Sequence, residues 1–142
     1  MVNNKLNKER ILAKFDELER YLEELEQIKP TELNEYKSLI EKKRACERLL
    51  QISIETIIDI CNILISNLKL GLPADEEDTF QKLENKKIIS KKMADTLSNM
   101  KGFRNILVHK YGIVDDELAF EMLSEKLEDF EKFKDEILRF LK

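Results

Sequence analysis

The chain has 142 residues, of which 42% are hydrophobic, so it is long enough to bury a core as a single domain spanning residues 1–142. Charged residues make up 38%, and there are three glycines, two prolines and no tryptophan, a composition that favours long amphipathic helices over sheet. The formal net charge of −4 argues against a protein that coats nucleic acid through general electrostatic attraction.

Residues 1–5 lack the apolar centre of a signal peptide, and no apolar run approaches the roughly 20 residues that cross a bilayer. We therefore expect a cytoplasmic protein with no membrane partner. Cys46 and Cys61 are predicted to lie on one helix, where a rise of about 1.5 Å per residue separates them by roughly 22 Å, beyond the reach of a disulfide. Both are expected to be reduced core thiols.

The first predicted helix covers residues 7–29, because apolar side chains recur there at alternating steps of four and three residues. The positions in this stripe are Ile11, Phe15, Leu18, Leu22 and Leu25. A second helical pattern begins near Leu33 and runs to Leu70, before Gly71 and Pro73 end it. It predicts one continuous helix, the longest in the protein, whose middle, residues 52–65, is apolar on nearly all sides and therefore central.

A polar ridge interrupts this apolar surface at every fourth residue, formed by Glu47, Gln51, Glu55 and Asp59. Carboxylates in a buried setting need partners, and Arg104 bound to Glu55 or Asp59 is one hypothesis. A ridge that faces solvent, or a second copy of itself, explains the pattern equally well. A chain with one histidine and no clustered Cys and His ligands argues against a metal site.

Residues 71–80 are the one obvious loop, and Asp75 or Asp78 can cap the short helix that follows. Ser90 is a plausible N-cap of a further helix, and Asp115 of a long helix that reaches the C-terminus. The helix after Ser90 has a predicted buried face, which comprises Met93, Leu97, Met100, Phe103 and Leu107. Four substantial helices and one short one predict an all-α, up-and-down helical bundle.

Positive charge is concentrated in residues 80–111, which contain eight basic residues against two acidic ones. The stretch leads directly into the only histidine of the chain. It is either a solvated helix face or a surface that attracts phosphate.

The end of this stretch contains four side chains with groups that can take part in chemistry: Arg104, Asn105, His109 and Tyr111. They combine a permanent cation, an amide, a group that titrates near neutral pH and a phenol, all of which a phosphate-handling site can use. The alternative is a solvated histidine that interacts favourably with the end of a helix.

The stretch from Gly102 to Tyr111 resembles the R-N-x-x-x-H-x-Y signature of the HepT branch of the HEPN superfamily. The spacing of four residues between Arg104 and His109 also satisfies the looser R-x(4–6)-H motif of HEPN domains in general. The resemblance implies an all-α bundle and a metal-independent endoribonuclease without a cofactor, which acts as the toxin of a prokaryotic toxin–antitoxin pair.

The same resemblance implies a role for each motif residue. His109 would be the general acid and base for attack of a ribose 2′-hydroxyl on the adjacent phosphate, Arg104 would stabilise the charge on phosphorus, and Asn105 would orient the histidine or the phosphate. Tyr111 would accept AMP from a nucleotidyltransferase antitoxin of the MNT type. The family also implies a homodimer with both motifs lining one cleft.

Helix geometry gives a separate reason to expect two copies. On a continuous helix His109 lies about 140° around from Arg104, so the two side chains would not converge without help. Either the helix deforms near Gly112, or two copies of the segment face each other.

A second function from another class is a non-catalytic helical subunit that binds a minimal nucleotidyltransferase and is modified by it. The two functions differ in whether the unmodified protein cleaves RNA.

Overall fold

The computed structural model describes residues 3–108 and 115–142 of the protein. Within these ranges the regular structure is entirely helical, which confirms the all-α prediction. The helices in chain order are α1 (Asn3–Ile28), α2 (Leu33–Ser38), α3 (Ile40–Asn67), α4 (Glu76–Asn85), α5 (Lys91–Val108), α6 (Asp116–Glu125) and α7 (Glu128–Leu141).

Helix α3 lies at the centre of the fold and packs against α1, α2, α4 and α5. Its most extensive partner is α1, whose predicted apolar stripe from Ile11 to Leu25 is buried as expected. By length and composition α3 could cross a membrane, contrary to the expectation from its sequence, but 61% of its most apolar window is buried inside the protein. The helix is therefore a core helix whose apolar surface is already covered by neighbouring helices.

Both cysteines lie on α3 as buried free thiols, as predicted. Burial raises the pKa of the Cys46 thiol to about 11 and the pKa of Cys61 further still, since a thiolate is poorly solvated in an apolar interior. Neither thiol is therefore activated for chemistry.

The predicted continuous helix over residues 33–70 breaks at Leu39, whose φ of −97° and ψ of 85° are not helical, and it ends at Asn67, three residues before Leu70. The short α2 before the break packs against α6. Tyr36 on α2 is fully buried, with its ring 6.2 Å from that of Phe120 on α6. Packing against α6 thus gives α2 its own direction, which the apolar spacing did not indicate.

The predicted C-terminal helix is also divided, into α6 and α7 at Lys126 and Leu127. The buried positions on either side of this break, Leu123 and Phe130, are seven residues apart, the spacing that one uninterrupted helix would also show. The seven helices of the described residues are thus the five predicted ones with two of them interrupted.

Side-chain caps fix where α4 and α6 begin. Asp75 accepts a hydrogen bond from the Asp78 N–H at 2.8 Å, and Asp78 accepts one in return from the Ala74 N–H at 2.9 Å. The first bond satisfies a donor that the first turn of α4 leaves free, and the second ties the chain before the N-cap to the same turn. Asp115 caps α6 by accepting from the Glu117 N–H at 2.9 Å, so the predicted caps Asp75 and Asp115 are confirmed.

The pairing of α1 with α7 includes two neighbouring carboxyl groups, Glu19 and Glu131. Partial burial of Glu131, with its hydrogen bond to Glu19 and the repulsion between them, raises its pKa to about 7. The folded state then binds more protons than the unfolded state between about pH 4.5 and 7, so this group makes stability fall as pH rises through that window.

We expect Glu131→Gln to raise the melting temperature at pH 8 and to leave it unchanged at pH 4. Glu131 is only partly buried, so screening by solvent limits the gain to less than about 1 kcal/mol. Thermal unfolding from pH 4 to pH 8 measures the effect. Glu128→Gln, on the same helix and paired with Lys132 at 3.4 Å, is the control, because it removes a favourable charge and should not stabilise the protein. A variant whose pH dependence matches that of the parent would contradict the prediction.

Candidate functional site

Helix α5 carries the first half of the motif and is held by its buried face. Met93, Leu97, Met100 and Phe103 are buried, and Leu107 packs against the core, as predicted. Ser90 caps the helix as predicted, since its Oγ accepts a hydrogen bond from the Met93 N–H at 3.0 Å. The helix therefore has a defined rotation about its axis, which fixes the direction of Arg104 and Asn105.

Arg104 is held by two hydrogen bonds. Its Nη2 donates to Oε1 of Glu76 at 2.5 Å, and its Nε donates to Oδ1 of Asn105 at 3.0 Å. Only 15% of the Arg104 side chain is exposed, so the guanidinium is an ordered group and not a mobile surface charge. An ordered planar cation with unused N–H groups can bind a phosphate in a set orientation.

The partner of Arg104 differs from the one the sequence suggested. Arg104 pairs with Glu76 at the start of α4, which corrects the predicted pairing with Glu55 or Asp59. Glu55 instead accepts a hydrogen bond from Gln51 at 3.2 Å within the ridge, and Asp59 pairs with Lys14 of α1 at 3.4 Å. The ridge is half-buried to exposed, so its groups are satisfied by local partners and by solvent.

A second ion pair lies beside the first. Glu77 binds Lys101 at 2.6 Å and accepts a hydrogen bond from the Ser98 hydroxyl at 2.7 Å. These hydrogen bonds lower the pKa of the Glu77 carboxyl below its ordinary value. The sequence analysis did not identify Glu76 and Glu77 as partners of Arg104 and Lys101. A signal was present in the chain, since two adjacent glutamates in the first turn of one helix can pair with two basic residues three apart on one face of the next helix.

Much of the positive charge before the motif is balanced within the chain. Lys82 lies 3.9 Å from Asp78, and Lys91 lies 3.7 Å from Asp95. With the pairs of Lys101 and Arg104, these contacts favour the paired, solvated helix face over a broad phosphate-attracting surface. Binding of a phosphate at this end of the protein would therefore depend on local geometry.

The exposed side chains near the end of α5 are one polar and two apolar residues. Asn105 is exposed, and Ile106 and Val108 are exposed to 37% and 45%. The two other motif residues, His109 and Tyr111, lie outside the described residues, so their placement relative to Arg104 stays a prediction.

No group of three or more His, Cys, Asp or Glu side chains that could hold a metal occurs among the residues described.

Comparisons with known proteins place this geometry in a family. The family model "Ribonuclease HepT-like" matches residues 18–137. The tRNA nuclease HepT of Aphanizomenon flos-aquae is 29% identical over 131 residues, which cover 92% of this chain and 89% of that protein. The mRNA nuclease HepT of Shewanella oneidensis is 36% identical over 88 residues, or 62% of this chain and 66% of that protein.

A solved structure has the same fold. The tri-AMPylated HEPN toxin of Shewanella oneidensis, in complex with an MNT antitoxin, superposes with a TM-score of 0.84 at 29% identity and covers 91% of this chain and 96% of that one. The family model spans the core from α1 to α7. The chain therefore belongs to the HepT-like ribonuclease family.

Proposed function

We propose that this protein is a metal-independent endoribonuclease and the toxin of a toxin–antitoxin pair in the cytoplasm. The observation that carries the proposal is the ordered Arg104 guanidinium, held by Glu76 and Asn105 at the end of the helix that leads into His109. Relatives named as RNA nucleases across most of the chain support the same conclusion.

The chemistry follows from the side chains. His109 removes the proton from a ribose 2′-hydroxyl, the 2′-oxygen bonds to phosphorus, and the bond from phosphorus to the 5′-oxygen breaks. Arg104 stabilises the negative charge that grows on the phosphoryl oxygens, and Asn105 fixes Arg104 through its side-chain oxygen. The protonated His109 donates its proton to the leaving 5′-oxygen, so the products are a 2′,3′-cyclic phosphate and a 5′-hydroxyl.

The proposed working unit is a homodimer. A helix that continued past Val108 would separate Arg104 and His109 by about 140°, and a site built from the motifs of two copies brings the two groups together without deforming the helix near Gly112. Ile106 and Val108 are exposed at the end of α5 and lie about 200° apart around its axis, so either of them would give such a partner an apolar side chain to cover.

The proposed antitoxin is a nucleotidyltransferase of the MNT type that transfers AMP to Tyr111. The solved relative is a HEPN toxin that carries AMP groups and is bound to an MNT antitoxin. A phosphate ester and an adenosine beside His109 would add bulk and negative charge where RNA binds.

We expect the purified protein to cleave RNA in the presence of EDTA, because neither the proton transfers nor the charge stabilisation requires a metal. End analysis should find cyclic phosphate and 5′-hydroxyl termini, and sedimentation at micromolar concentration should find a dimer. Cleavage that stops in EDTA would contradict the metal-independent mechanism. A protein that binds the nucleotidyltransferase but cleaves no RNA would favour the non-catalytic subunit.

A further inference from the structure

Two consecutive glutamates in the first turn of α4 bind two basic residues of the motif helix α5. Glu76 binds Arg104, and Glu77 binds Lys101, one helical turn earlier on α5. Because residues three apart lie on the same side of a helix, the two contacts form a double attachment of α4 to one face of α5.

The start of α4 is itself firmly placed. The reciprocal caps of Asp75 and Asp78 hold its first turn, and Gly71 allows the preceding chain to turn with a φ of +96°. Thr79, Phe80 and Leu83 are buried and lie three, four and seven residues after Glu76, so they hold the face of α4 that also carries Glu76. The backbone of Glu76 is therefore held in place, so its carboxylate can hold a partner in a fixed position.

The two glutamates have different effects on the motif. Glu77 binds Lys101 and Ser98, which the proposed chemistry does not use. Glu76 binds the Nη2 end of the Arg104 guanidinium, while Asn105 binds its Nε. Two acceptors at different N–H groups of one planar group set the orientation of its plane and leave the other N–H groups available for a ligand.

We propose that Glu76 is a positioning residue for the reaction: it holds the Arg104 guanidinium in the orientation in which it meets the reacting phosphate. This inference rests on the proposed ribonuclease function. A free arginine side chain must lose its rotamer freedom when the charge on phosphorus develops, whereas one that Glu76 already holds has lost that freedom on folding.

The carboxylate also has a predictable effect on substrate binding. Its negative charge repels RNA, and it partly neutralises Arg104 in the resting protein. Removing Glu76 should thus leave the KM for RNA unchanged or lower, while kcat falls because Arg104 is no longer oriented. A residue with a merely structural role would instead change the melting temperature.

The test compares Glu76→Ala with the matched control Glu77→Ala, which removes the neighbouring carboxylate and its own ion pair. We expect Glu76→Ala to lower kcat by about 10-fold to 100-fold without raising KM, the range for misplacing a reacting group by about 1 Å. Glu77→Ala should keep kcat within about twofold, since a partly exposed ion pair elsewhere on the helix contributes little. Glu76→Gln, which keeps an acceptor oxygen of the same reach, should recover part of the lost kcat.

Two further measurements separate positioning from general damage. In an Arg104→Ala background Glu76→Ala should lower kcat no further, because Glu76 acts through Arg104. Nitrogen-15 relaxation of the Arg104 Nε–H group should show increased mobility in Glu76→Ala and parent-like mobility in Glu77→Ala.

Equal Arg104 mobility and equal kcat in Glu76→Ala and the parent, with RNA cleavage intact, would overturn this inference alone. An additive loss in the double variant would do the same. If the parent protein cleaves no RNA, the catalytic role of Glu76 falls with the proposed function, and the relaxation measurement then reports only that the ion pair exists.

Discussion

Replacing His109 by alanine should abolish RNA cleavage and leave a folded protein. General acid and base catalysis by a placed side chain contributes about 10²- to 10⁴-fold, so kcat should fall by at least the lower figure. The face that holds α5 in the fold includes the buried Phe103 and the packed Leu107, so we expect the fold to survive the change at His109.

Cleavage of a labelled RNA by purified protein measures the effect, with the melting temperature recorded for each variant. Arg104→Ala should lose most of its activity as well, and its loss of the Glu76 ion pair should lower stability by less than about 1 kcal/mol, since the Glu76 carboxylate that remains is 34% exposed and stays solvated. Growth inhibition on overexpression, where it occurs, should disappear in both variants. A His109→Ala protein that cleaves RNA at the parent rate, or one that unfolds, would exclude the proposed role of the histidine.

Replacing Tyr111 by phenylalanine should preserve RNA cleavage and remove control by the nucleotidyltransferase. The change deletes only the hydroxyl that would accept AMP, so the aromatic ring remains. Incubation of the parent protein with the nucleotidyltransferase and ATP should silence cleavage, because the added phosphate repels RNA and the adenosine fills the cleft. The variant should retain its activity under the same conditions.

Mass spectrometry after co-expression identifies the modified residue. AMP should be found on Tyr111 of the parent and be absent from the variant. Tyr21→Phe is a suitable control, because Tyr21 is a half-buried tyrosine on α1, far along the chain from the motif. Modification of another residue, or full silencing of Tyr111→Phe by binding alone, would contradict the assignment.

Local features of the sequence were sufficient to predict most of the helices. The apolar stripe of α1 and the buried face of α5 follow from spacing along the chain, because a helix repeats every 3.6 residues whatever its neighbours are. The caps Asp75, Ser90 and Asp115 were equally predictable, since a cap bonds to backbone only two or three residues away.

The breaks in two of the helices depend on tertiary packing. At Leu39 the chain turns because Tyr36 packs into the core beside Phe120 of α6, a residue far along the sequence. Between α6 and α7 the apolar spacing passes through the break unchanged, so periodicity could not reveal it. Apolar spacing indicates which face of a helix is buried. It does not indicate where the helix ends and the chain changes direction, because that depends on packing against other parts of the fold.

The motif at residues 104–111 was recognisable from the sequence alone, because its spacing and residue types carry the family resemblance. The partner of Arg104 could not be recognised from the sequence. The chain has 29 acidic residues, and those of the α3 ridge and of α4 offer the same carboxylate chemistry. Only the packing of α4 against α5 brings Glu76 within hydrogen-bond distance of the guanidinium, whereas Asp59 lies against α1 and binds Lys14. An ion pair needs two charges within a few ångströms, and that distance is set by how the helices pack.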